Sequence, residues 1–125
     1  MTPIRPEGYG PPKLPFTPAI KANGFVFVSG QASTDTNGNI VKDTFEAEFR
    51  RSIEHVKAIL AADGLTLADI AQVRSYLAKQ EDLAEYNTLY REYFVEPYPA
   101  RTTIVGCLGV GSILYEIDVV AVAKS

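Results

Sequence analysis

The chain has 125 residues, of which 46% are hydrophobic and 22% are charged, and this composition suits one globular domain. Its formal net charge is −3 and its pI is about 5.1, so it lacks the general attraction for phosphate backbones on which nucleic-acid binding depends. The single cysteine, Cys107, excludes an intrachain disulfide. With no apolar run of membrane-spanning length and no signal-like N-terminus, these features predict a cytoplasmic protein with neither nucleic-acid nor membrane partners.

The N-terminal part of the chain predicts an extended arm followed by a β-hairpin. Residues 1–13 are rich in proline and glycine, which favours the arm. Asn23 and Gly24 form a strong hairpin signal between a short β-like piece at 19–21 and the strand-like segment GFVFVSGQ.

A long amphipathic helix is predicted next. Asp43 and Glu46 have the spacing of a capping box at its start. Apolar residues then recur at three- and four-residue steps, which predicts one buried stripe: Phe45, Phe49, Ile53, Val56 and Leu60. Gly64 stands where a left-handed residue would end the helix.

The second half of the chain predicts three strands and one more helix. Residues 72–78 read as a strand, 82–94 as a helix, and 100–107 and 113–122 as the last two strands. The predicted order is therefore β-β-α-β-α-β-β, a single α+β domain with two helices on one face of a mixed sheet.

Side-chain alternation predicts that both faces of this sheet are apolar. Phe25 and Phe27 share one face of their strand, and Val26 and Val28 share the other. One face of the last strand carries Ile113, Tyr115, Ile117, Val119 and Ala121, and the other carries Leu114, Glu116, Asp118, Val120 and Val122. Two helices cover one face only, so the second face predicts self-association, with Glu116 on or near a subunit interface.

Arg101 and Glu116 are the first candidates for a functional site. The guanidinium of Arg101 opens a predicted strand, where it can bind a carboxylate or phosphate as a fork, or form a structural ion pair with Glu116, Asp118 or another acid. Glu116 lies among apolar neighbours, where it is either paired or orients a water in a cleft. A coupled Arg–Glu pair facing a cavity is therefore one hypothesis for the site.

The remaining polar candidates are weaker. Ser29 and Gly30 either meet a ligand or form a turn that ends a strand, and Asn87 reads equally well as a surface residue. His55, the only histidine, lies off the apolar stripe and is predicted to be solvated. One histidine and one cysteine are too few for a usual zinc site.

Four segments in this order and spacing resemble the RidA/YjgF family of enamine and imine deaminases: LPFTPAIKANGFVFVSGQ, YNTLYREYF, PART and YEIDVVAVA. The match runs from about residue 14 to residue 123. The resemblance implies a chorismate-mutase-like fold and a homotrimer with clefts between neighbouring subunits. It also implies hydrolysis of 2-imino acids or their enamine tautomers to 2-oxo acids and ammonia, without a cofactor or metal. Substrates of the 2-aminoacrylate, 2-iminopropanoate and 2-iminobutanoate type are expected.

The resemblance also assigns roles residue by residue. Arg101 binds the substrate carboxylate, and Glu116 positions the attacking water. The implied substrate-binding residues are Phe16, Ser29, Gly30, Asn87, Arg101 and Thr103, the last through its backbone. Phe16 departs from the archetype, which has tyrosine there, and Gly109 stands where a proline is common.

Alternative functions fit the same residues. A trimeric module could bind small carboxylates through Arg101 without turnover, or the protein could act on a different imine. Because ribonuclease activity has been attributed to some endoribonuclease L-PSP-like relatives, a nucleic-acid enzyme is a third hypothesis, which the acidic pI disfavours. A structural oligomer with a vestigial cleft is the fourth.

Overall fold

The computed structural model describes residues 1–9, 13–108 and 113–124. In these ranges the chain forms six strands and two α-helices: β1 Thr2–Ile4, β2 Ala19–Ala22, β3 Phe25–Ala32, α1 Phe45–Ala61, β4 Ile70–Leu77, α2 Leu83–Tyr93, β5 Ala100–Val105 and β6 Tyr115–Val122. The strand order is β1-β2-β3-β6-β4-β5, and the sheet is mixed because β4 and β5 pair in parallel while the other neighbours are antiparallel. The predicted α+β fold is confirmed.

Helix α1 begins one residue later than the predicted capping box implies. Thr44 is the N-cap, and its side chain accepts a hydrogen bond from the backbone N–H of Ala47 at 3.2 Å. The box between Asp43 and Glu46 is therefore wrong, because Thr44 supplies the capping oxygen instead. At the other end Gly64 adopts φ +74°, as predicted, and the backbone N–H of Leu65 donates to the carbonyl of Leu60, which completes a Schellman motif.

Glu48 is a buried carboxylate that ties α1 to the start of β6. Its two oxygens accept the backbone N–H of Asp43 at 3.1 Å and of Leu114 at 3.0 Å. Two hydrogen bonds of this kind satisfy a charge that would otherwise be costly in the core. They also fix the chain two residues before Glu116.

Strand β1 was not predicted. Residues 1–13 were expected to form an arm, yet Thr2–Ile4 pairs with β2. Pro3 lies inside this strand, and proline argues against a central strand because it has no N–H to donate. The edge position of β1 removes that objection, since one row of its backbone groups faces away from the sheet.

Both faces of the sheet carry apolar side chains, as the alternation predicts, and the two helices cover only one of these faces. Val26, Tyr115, Ile117 and Val119 are buried in the core that the two helices cover. The opposite face has no covering element among the described residues and leaves large apolar side chains about half exposed: Phe25 43%, Phe27 47%, Ile104 42% and Val122 47%.

The other predicted elements agree with the structure to within two residues at most of their ends. Gly109 lies outside the described residues. In the part of the chain that the structure describes, no helix is long and apolar enough to cross a membrane.

Candidate active site

Arg101 is a cation held over two aromatic rings. It pairs with Val73 of β4, so its side chain lies on the helix-covered face, at the exposed edge strand β5. Its guanidinium carbon lies 4.9 Å from the ring centroid of Tyr86 and 4.7 Å from that of Tyr90. Within the described ranges no carboxylate lies within ion-pairing distance of Arg101, and Asp118 pairs with Arg74 instead, at 2.8 Å. Among the described residues, therefore, Arg101 does not form the structural ion pair that was the alternative interpretation, and its guanidinium fork is open to a ligand.

A small cavity opens beside this guanidinium. It has a volume of about 280 Å³, and its lining is Asn87, Tyr90, Arg91, Tyr98, Pro99 and Arg101. This volume falls below the roughly 300–1,000 Å³ of pockets for drug-sized molecules, so the cavity suits a small metabolite. The structure thus brings together two of the predicted residues, Asn87 and Arg101.

Thr103 contacts Tyr86, one of the two rings beneath the Arg101 guanidinium. Its Oγ1 lies 2.9 Å from the hydroxyl oxygen of Tyr86, whose ring carries Arg101. The hydrogen bond orients that ring. The ligand contact implied for the Thr103 backbone stays a prediction. Thr103 lies on β5, which pairs with β4 on one side.

Gly30 and Glu116 form a second group of predicted residues. The β3–β6 register shifts between Val28 and Gln31, so Ser29 and Gly30 form a bulge and not the strand-ending turn that was considered. A Cβ built on Gly30 would clash with Oε2 of Glu116 and lie 3.2 Å from its Cδ. The absence of a side chain at position 30 therefore makes room for the Glu116 carboxylate.

Ser29 holds the segment that carries Phe16 against this group. Its hydroxyl donates to the carbonyl of Thr17 at 2.6 Å, and its N–H donates to the carbonyl of Pro18 at 2.9 Å. Phe16 directly precedes Thr17 and is 53% exposed. The Phe16 ring offers no hydroxyl to a ligand.

The surroundings of Glu116 raise its pKa above the ordinary value. Burial is the main cause that raises the pKa of Glu116, and the negative charge of Asp118 raises it further. Asp118 is itself held by Nε of Arg74 and the hydroxyl of Tyr76, which both donate to its oxygens at 2.8 Å. A carboxylate with a raised pKa is a better proton acceptor than one at its ordinary value, which suits a general base.

The two groups of residues do not meet within one chain. Arg101 lies on the helix-covered face of β5, whereas Glu116 pairs with Tyr76 on the opposite face, and β4 separates β5 from β6. Within one chain, therefore, Arg101 and Glu116 do not face one cavity, and the hypothesis of an Arg–Glu pair stays a prediction for a cleft between subunits. A site that contains both residues has to be shared between two copies of the chain.

Sequence reasoning missed several residues around the candidate site. Tyr86 and Tyr90 were interpreted as core, and they are buried, yet their spacing of four residues on a helix also presents two rings to Arg101. Arg91 and Tyr98 line the cavity, and they carry no motif that would single them out. His55 was expected to be solvated but is half-buried, with Nε2 3.0 Å from the carbonyl oxygen of Thr34.

Comparisons with known proteins identify the family of the chain. The family model for endoribonuclease L-PSP matches residues 10–123. A RutC family protein of Pyrococcus horikoshii is 39% identical over 108 residues, which cover 86% of each chain. The 3-aminoacrylate deaminase RutC of Acinetobacter baylyi is 37% identical over 119 residues, which cover 94% of each. The structure of RidA from an Antarctic Psychrobacter superposes with a TM-score of 0.86 at 27% identity, covering 98% of this chain and 99% of that one. The chain therefore belongs to the RidA/YjgF family, which the endoribonuclease L-PSP model describes.

Proposed function

We propose that the protein hydrolyses reactive 2-imino acids and their enamine tautomers to 2-oxo acids and ammonia. The observation that carries the proposal is the guanidinium of Arg101, which lies over two rings beside a small cavity with no carboxylate partner in the described residues. A fork of this kind matches the planar carboxylate of an imino acid. The family supports an imine or enamine deaminase role, and a relative that is 37% identical is named 3-aminoacrylate deaminase.

The complete site is proposed to form between neighbouring copies of a homotrimer. The cavity at the β5 edge of one copy would face the uncovered sheet face of the next, where Gly30 and Glu116 lie. Association would also bury Phe25 and Phe27, which are about half exposed in the single chain. The number three comes from the family resemblance. Light scattering after gel filtration tests it, and a mass near the 13.7 kDa of one chain would contradict a shared site.

The proposed reaction needs little from the protein besides positioning. Arg101 orients the substrate through its carboxylate, which lowers the entropic part of the barrier. Glu116 accepts a proton from water as the water oxygen bonds to the imine carbon and the electron pair of the C=N bond moves to nitrogen. Glu116 passes this proton to nitrogen, which gives the carbinolamine. The carbinolamine hydroxyl then gives up its proton to nitrogen as the C=O bond forms and the C–N bond breaks, and ammonia leaves. One water is consumed, and one 2-oxo acid and one ammonia are released.

The test is hydrolysis of 2-imino acids that a second enzyme generates in the same cuvette. Wild-type protein should accelerate the loss of 2-iminobutanoate or 2-iminopropanoate, and Arg101→Ala should reduce kcat/KM by about 10²–10⁴-fold, since truncation of one member of a desolvated charge pair costs about 2–5 kcal/mol. Arg101→Lys is the matched control, because it keeps the charge but loses the fork. Full activity in Arg101→Ala would contradict the proposal.

A binding module without turnover is the second candidate, and Phe16 is the observation that favours it. The ring is 53% exposed and lacks the hydroxyl of the family archetype. Under this hypothesis 2-oxobutanoate would bind with an affinity that depends on Arg101, while imines would decay as they do in buffer. Calorimetry and the imine assay on the same preparation separate the two candidates.

A further inference from the structure

A second arginine, Arg91, lines the Arg101 cavity. Arg91 follows Asn87 by one turn of α2 and lines the same space of about 280 Å³. Its Nη1 donates to the carbonyl of Asn87 at 3.3 Å, a contact within its own helix. Among the described residues, none of the lining side chains is acidic, and no carboxylate lies within ion-pairing distance of Arg91.

The other lining residues do not offset this charge. Burial raises the pKa of Tyr90 to about 12, so its hydroxyl stays protonated and neutral at physiological pH. Tyr98 and Pro99 contribute apolar surface, and Asn87 is uncharged. Both arginines are exposed in the single chain. Two like charges that line one small cavity repel each other, and a ligand with one carboxylate pairs with only one of them.

We propose that the site takes substrates with two acidic groups, in which Arg101 binds the carboxylate next to the imine carbon and Arg91 binds a distal carboxylate. The substrate class is then the four- or five-carbon 2-imino dicarboxylates, with the matching 2-oxo dicarboxylates as products. This inference rests on the proposed function for the chemistry. Its binding component depends only on the two arginines that line one cavity.

Matched pairs of ligands test the inference. 2-Oxoglutarate and 2-oxopentanoate both have five carbons and differ in the distal carboxylate, and both are stable enough for calorimetric titration. 2-Iminoglutarate and 2-iminopentanoate, generated by amino-acid oxidases, provide the same comparison for turnover. We expect wild-type protein to favour the dicarboxylate by about 10- to 100-fold in Kd and in kcat/KM, the usual range for one added pocket contact.

Arg91→Met should reduce this ratio to about 1, because methionine keeps an apolar stem but cannot bind a carboxylate. Arg91→Lys should retain part of the preference through its charge. Lys57→Met is the control, since it removes one positive charge from an exposed site on α1 that does not line the cavity. The same loss of preference in Lys57→Met would point to net charge and refute the role of Arg91.

The outcomes separate this inference from the proposed function. Equal use of both imines, with no change in Arg91→Met, overturns the dicarboxylate inference and leaves the deaminase intact. Tight, Arg91-dependent binding of 2-oxoglutarate without hydrolysis of any imine supports the two-carboxylate site and contradicts the deaminase. Loss of the preference for dicarboxylates in Arg91→Met, with retained mass and melting temperature, supports both.

Discussion

Mixing two inactive variants should restore activity if each site is shared between two copies. Arg101→Ala removes the carboxylate fork on the helix-covered side of β5, and Glu116→Gln removes the proton acceptor on the opposite face of β6. In a mixed oligomer, some interfaces place the intact Arg101 of one copy against the intact Glu116 of the next. A site within one chain would never regain both residues by mixing.

The expected recovery follows from counting interfaces. With equal amounts and random assembly, half of the sites receive an intact Arg101 from one neighbour. Independently, half of the sites receive an intact Glu116 from the other neighbour, so about one quarter of sites are intact. This fraction is the same for a cyclic dimer or trimer, so the test does not depend on the number of copies. Each variant alone should retain about 10⁻²–10⁻⁴ of wild-type activity, so a recovery to one quarter is easily measured.

The assay mixes the two variants, each with a different affinity tag, by co-expression or by unfolding and refolding together. Native mass spectrometry confirms that hetero-oligomers have formed before hydrolysis of 2-iminobutanoate is measured. Wild type mixed with the Arg101→Ala/Glu116→Gln double variant is the control: shared sites should leave about one quarter of sites active, and sites within one chain about one half. Activity of the variant mixture that stays at the level of the separate variants, in verified hetero-oligomers, would refute the shared site.

Three further substitutions probe Glu116 directly. Glu116→Gln should lower imine hydrolysis by about 10²–10⁴-fold while affinity for 2-oxobutanoate, titrated by calorimetry, changes little; a parallel fall in affinity would instead make Glu116 a partner that holds Arg101. Gly30→Ala should displace the Glu116 carboxylate by about 1 Å and cost about 100-fold in kcat, with a near-normal melting curve and no further loss in the Glu116→Gln background. Asp118→Asn should lower the pKa of Glu116, because it removes a negative neighbour and releases the positive Arg74. Since the base must be ionised, activity falls as pH drops through this pKa, so the acid limb of the kcat/KM profile should move to lower pH; a shift to higher pH would contradict this account.

Features set by a few neighbouring residues were predictable from the sequence. The alternation in the last strand separates Tyr115 and Ile117 from Glu116 and Asp118, because successive side chains of a strand point to opposite faces. Gly64 was identified as the residue that ends α1, because glycine enters the left-handed region without steric cost. The first helix was predicted from its apolar stripe, which is likewise a pattern of residues that are close in the sequence.

Features that depend on strand pairing were not predictable. Alternation fixes the faces within a strand but says nothing about the relation between strands, so the sequence did not show that Arg101 and Glu116 lie on opposite faces of the sheet within one chain. That relation is set by the parallel β4–β5 register, which pairs Val73 with Arg101, and by the antiparallel β4–β6 register, which pairs Tyr76 with Glu116. Such registers join segments that are distant in the sequence, so they leave no local signal.

The two acids on the uncovered face differ in a way that connects assembly with catalysis. Both oxygens of Asp118 accept hydrogen bonds, from Arg74 and Tyr76, whereas Glu116 has no hydrogen-bond donor among the described residues. Burial of this face in an oligomer would therefore leave the charge of Asp118 compensated, whereas the charge of Glu116 would have no partner. A buried carboxylate without a partner is strongly disfavoured. The proposed interface supplies the missing partners, because it brings the Arg101 cavity of the neighbouring copy to Glu116 with water or substrate between them. An acid that is costly in an empty interface and stabilised in an occupied one is thus placed to act on a bound ligand, and association and substrate binding should stabilise each other.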